Sequence, residues 1–70
     1  MKDWACIYSS SNLQSAEMVK NILLLDEINS VVISKQDSSY LFGEHEVYVN
    51  RNDVVKAKYI LNNNKRLNNK

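Results

Sequence analysis

Seventy residues make one domain, and nine basic against eight acidic side chains leave a net charge of +1, too little to build a strong field for nucleic acid or an anionic membrane. A chain of this size buries only about 60% of its unfolded surface and is marginal without help. The single cysteine, Cys6, excludes an internal disulfide and Cys6 with His45 cannot furnish a zinc site alone, so oligomerisation is the expected aid.

No apolar run approaches the roughly 20 residues that span a bilayer. Met1-Lys2-Asp3 leads into Trp4 without the apolar stretch of a signal peptide, and a lone thiol gives no hint of an oxidising compartment. The expected location is cytoplasmic.

Trp4-Ala5-Cys6-Ile7-Tyr8 is aromatic and β-branched and predicts a first strand, ended by a serine cluster. Ser11 or Asn12 then caps a helix, Ser11 with Gln14 fitting a capping box and Asn12 being an equally good cap by type. The helix is expected to run to about Glu27. Ala16, Val19 and Leu23, with Ile22 on their shoulder, make the stripe that faces the sheet. Met18 and Leu25 point away from it at seven-residue spacing, which leaves a second apolar side for another element or a partner to cover.

Val31-Val32-Ile33 predicts the second strand. A polar loop follows, with Gln36, Asp37, Ser38, Ser39 and Tyr40, and Gly43 is expected to supply a positive φ or a bulge. His45 to Val49 alternates with the period of a half-buried third strand. Asn50 caps a second helix with Asp53 in its first turn, and Val54, Ala57 and Leu61, beside Ile60, form the inner stripe. Residues 1–62 make the domain, and the asparagine-rich residues 63–70 are expected to be a disordered tail.

The order β-α-β-β-α with a right-handed crossover leaves room for strand 3 between strands 1 and 2. The expectation is an α+β, ferredoxin-like βαββα fold. Its three-stranded sheet has order 1-3-2, with two helices on one face and the edge of strand 1 unpaired.

The stretches WACIYSSSN, SAEMVKNILLLDEI, the Gln36-Asp37 turn, FGEHEVYV and the acidic-capped second helix resemble the "putative prokaryotic signal transducing protein" family. That family has no assigned function, and its fold is similar to that of the PII nitrogen regulators. The resemblance covers about residues 4 to 61, mostly at core and cap positions. Glu27 stands where a glycine would end the first helix, and Asn50 where proline is frequent. What the resemblance implies is a signal-transducing module with a partner-engaging loop, here the short Gln36 to Phe42. It does not carry nucleotide binding over, because the chain has no glycine-rich phosphate loop.

The chemistry-bearing residues point away from catalysis. His45 faces opposite to Glu46 along a strand, so a metal set of His45, Glu44, Glu46 and Asp37 is disfavoured. Cys6 reads as a buried structural thiol, without a placed basic partner. No Ser-His-Asp arrangement or nucleophile elbow is specified. Neither metal nor cofactor is expected, and the chain reads as a non-enzyme.

If Ile7, Val47 and Val49 face the helices, then Trp4, Cys6, Tyr8 and Tyr48 fall on the open face of the sheet. Aromatics there are costly to leave wet. The expected role is a small regulatory module that recognises a protein partner or small effector through Gln36, Asp37 and Tyr40 and through Trp4, Tyr8 and Tyr48. It is expected to be homodimeric, with the sheet face as the dimer surface. The alternative is a single-stranded RNA module that stacks bases on those aromatics, disfavoured by Glu44 and Glu46 on the third strand.

Overall fold

The computed structural model describes residues 3–35 and 44–64. The elements are β1 (Trp4–Ser10), α1 (Leu13–Leu25), β2 (Ser30–Lys35), β3 (Glu44–Asn50), one 3-10 turn (Arg51–Asp53) and α2 (Val54–Asn62). The sheet has the order β1-β3-β2, with β3 antiparallel to both neighbours. This is the expected ferredoxin-like α+β arrangement. Gln36, Asp37, Tyr40 and Gly43 lie outside the described residues, as do positions 65–70.

Alternation along β3 sets the two faces of the sheet. Val47 and Val49 are fully buried beneath the helices, and Glu46 and Tyr48 point the other way. α1 packs against all three strands and against α2, which itself packs on β1 and β3, so both helices cover one face. Between them lies a core to which nine of the described residues contribute: Ala16, Val19, Ile22, Leu23, Ile28, Val47, Val49, Ala57 and Leu61. All nine are aliphatic, so none of the described aromatic side chains is fully buried. The two expected helix stripes supply six of them.

The helix ends follow from local chemistry. Asn12 is the cap of α1, its Oδ1 accepting from the Gln14 backbone N–H at 2.8 Å. Asn50 caps as expected, accepting from Asn52 N at 2.9 Å, but the turn that it starts is 3-10 and α2 begins only at Val54. At the other end α1 stops at Leu25, two residues before the expected end. Ile28 N donates to Leu23 O and Glu27 N to Leu24 O, the paired bonds of a Schellman ending. That ending needs a left-handed residue, and Glu27 takes it with φ 62°. The glycine expected at this position is absent, yet its conformation is present.

β1 departs from regular alternation. Cys6 pairs with Tyr48, and Tyr8, two residues on, pairs with Val47, only one residue back. Ile7 is the extra residue of a β-bulge. Beyond it the parity of β1 is reversed, so Tyr8 sits on the helix side with Val47 and packs, with Ile7, against the core. The expected placement of Tyr8 on the open face is therefore corrected.

Two substitutions test this packing. Leu23→Ala should lower the unfolding free energy by about 2 to 5 kcal/mol, a large share of the stability of so small a domain. Glu27→Gly should raise it by about 0.5 to 1 kcal/mol, since a left-handed backbone costs glycine little and other residues more. Urea unfolding of each variant beside the parent checks both. A destabilised Glu27→Gly would contradict the Schellman ending.

Candidate functional site

The face that the helices leave open is built from all three strands. Tyr48 on β3 is flanked by Cys6 on β1 and Val31 on β2, and Glu46 by Ser9 and Ile33. Trp4 lies at one end, beside Asn50. Of the aromatics expected here, Trp4 and Tyr48 are present, both half-buried, and Val31 and Ile33 take the place of Tyr8. No described helix or strand covers them. Cys6 is exposed, a correction to its reading as a buried thiol, and its Sγ lies 3.4 Å from Tyr8 O.

Polar groups on this face are coupled. The Tyr48 hydroxyl donates to Glu46 Oε1 at 2.8 Å, two residues away on the same side of β3. Lys35 Nζ reaches the same oxygen from β2 at 3.2 Å, diagonally across the ladder. The Tyr48 hydrogen bond and, after it, the one from Lys35 hold the Glu46 carboxyl below its ordinary 4.5. Its bond to Glu46 and the carboxylate charge raise Lys35 above 10.5, and the separate bond that Tyr48 makes to Glu46, with burial, raises the phenol above 10.0. A depressed carboxylate lends stability above its ordinary value and loses it as the pH falls through the folded value. The raised lysine and phenol lend stability below theirs and lose it as the pH rises through the folded values.

His45 stands on the helix side of β3, half-buried at the strand's start, where it shares a 2.7 Å hydrogen bond between its Nδ1 and Ser34 Oγ. It thus turns away from Glu46. Among the described residues no three His, Cys, Asp or Glu side chains gather as metal ligands, and no helix is long and apolar enough to cross a membrane. The helix side has its own surface feature. Leu13, Met18, Ile22 and Leu25 of α1 border an open depression of about 460 Å³, with Glu17 among its lining residues.

These features define a small ferredoxin-like domain that presents one sheet face with an apolar centre and an acid-base edge. The chain belongs to the family described as "putative prokaryotic signal transducing protein", whose model matches residues 4–65. No curated protein and no solved structure matches the chain significantly.

Glu46→Gln tests the polar cluster. It should return the Tyr48 phenol toward 10.0 and lower Lys35 as well. Ring-carbon shifts of Tyr48 followed by NMR through alkaline pH read the change. A Tyr48 titration that does not move would mean that the 2.8 Å bond does not hold in solution.

Proposed function

We propose that this domain is a non-catalytic, cytoplasmic regulatory module that recognises a protein partner or small effector on its open sheet face. The observation that carries the reading is the grouping of Trp4, Val31, Ile33 and Tyr48 on one face that no described element covers. Aromatic and branched side chains offer contact area with few rotamers to freeze. Around them the Lys35–Glu46–Tyr48 cluster supplies directional polar contacts at the edge. The family's description supports signal transduction as the setting. Protein contact is favoured over RNA because Glu46 adds negative charge to the face and pairs with Lys35, which weakens attraction for phosphate.

Capture from a bacterial extract on the immobilised chain tests this. A protein retained by the parent should be lost by a folded Tyr48→Ser, Ile33→Ser variant. The purified complex should also slow alkylation of Cys6, the only thiol and a resident of this face. A retained protein that binds the variant equally and leaves Cys6 reactive would contradict the reading. A shift of single-stranded RNA at low salt, abolished by Tyr48→Ala, would favour the RNA alternative instead.

A further inference from the structure

Most of the large apolar side chains exposed among the described residues stand on the helices. Leu25, Val55 and Tyr59 are 85, 82 and 69% exposed, whereas Val31 on the sheet is 37% exposed. On α1, Met18, Ile22 and Leu25 follow one another at intervals of four and three, the spacing of a helix-packing seam. On α2, Val55 and Tyr59 lie one turn apart, with the exposed Lys56 and Lys58 on either side.

The charges of the two helices are complementary. α1 with its C-terminal turn carries Glu17, Asp26 and Glu27 against Lys20, and α2 carries Lys56 and Lys58 and no acid, with Arg51 and Asp53 offsetting each other in the turn before it. We propose that two copies of this chain pair through their helical layers, α2 of each lying in the α1 depression of the other. The helices sit side by side in one layer, so a twofold axis running between them sets each α2 over the partner's α1. Met18 and Leu25 then meet Val55 and Tyr59 twice over, and Glu17 faces the lysines. Pairing α2 with α2 would bring lysines together, and pairing α1 with α1 would bring acids together, so charge selects the crossed arrangement.

A second copy is the occupant because one chain carries both halves of the match. The arrangement also adds buried apolar surface to a small domain without using the open sheet, which stays free for a further partner. It relocates the dimer surface from the sheet, where the aromatic pattern alone would put it, to the helices.

Sedimentation equilibrium from micromolar concentration upward tests the proposal. The parent should dimerise, and Glu17→Lys should raise the dissociation constant by about tenfold or more. Glu17→Lys combined with Lys56→Glu and Lys58→Glu should recover most of that loss, which a merely destabilised fold would not. Cys6 should be alkylated equally fast in dimer and monomer, since the open sheet is not used. The proposal is overturned by a parent that stays monomeric, by a dimer indifferent to the charge changes, or by a dimer that protects Cys6. It is equally overturned if only a chain lacking residues 65–70 dimerises, because the basic tail would then be the natural occupant.

Discussion

Val47 and Val49, fully buried on the central strand, are the residues about which this small molecule is arranged. Among the described strands β3 alone has a neighbour on each side, so its alternation dictates which side chains of β1 and β2 go under the helices. The bulge at Ile7 modifies that rule at one place. It lets β1 contribute Ala5, Ile7 and Tyr8 to the helix side while Trp4 and Cys6 stay outside with Tyr48. Without the extra residue Tyr8 would stand over the open face and the core would lose a partly buried aromatic.

The remaining constraints are local. The core of so small a domain tolerates little loss, and the chain spends some stability on holding Glu27 in a left-handed conformation at the end of α1. That turn sends Ile28 back over Leu23 and delivers the chain to β2. Glu46 works in a comparable way on the opposite face. By accepting from both Tyr48 and Lys35 it ties the central strand to an edge strand and fixes the ring of Tyr48 in place.

Helices, strand order and core were legible in the residues because their periods were clean. Ala16, Val19 and Leu23 could face only one way, and so could Val47 and Val49. β1 was harder to read. Trp4-Ala5-Cys6-Ile7-Tyr8 is apolar throughout, so it has no alternation by which to assign sides, and a bulge formed without glycine leaves no mark. Tyr8 was misplaced for that reason, whereas Cys6 was put on the correct face and misjudged for burial only from its residue type. Val31 and Ile33 reached the open face unnoticed because a run of three branched residues hides its parity in the same way. Gln36, Asp37 and Tyr40, read from their loop chemistry, lie outside the described residues. The left-handed turn was visible in sequence only as a missing glycine, a reminder that a backbone position can keep its geometry after losing the residue that suits it best.

Two surfaces with different chemistry follow from this arrangement. The sheet offers half-buried aromatics beside an acid-base cluster, and the helical layer offers exposed apolar ridges with opposite charges on its two members. Both depend on the bulge, which decides what the sheet shows and what supports the helices from below. The most direct measurement is a nuclear Overhauser spectrum of the isotope-labelled chain. The account predicts contacts from the Tyr8 ring to the methyls of Val47, its cross-strand neighbour, and from the Tyr48 ring to Val31 and the Cys6 β-protons. A Tyr8 ring in contact with Glu46 and Ile33 on the open face would mean an unbulged ladder, and would contradict it.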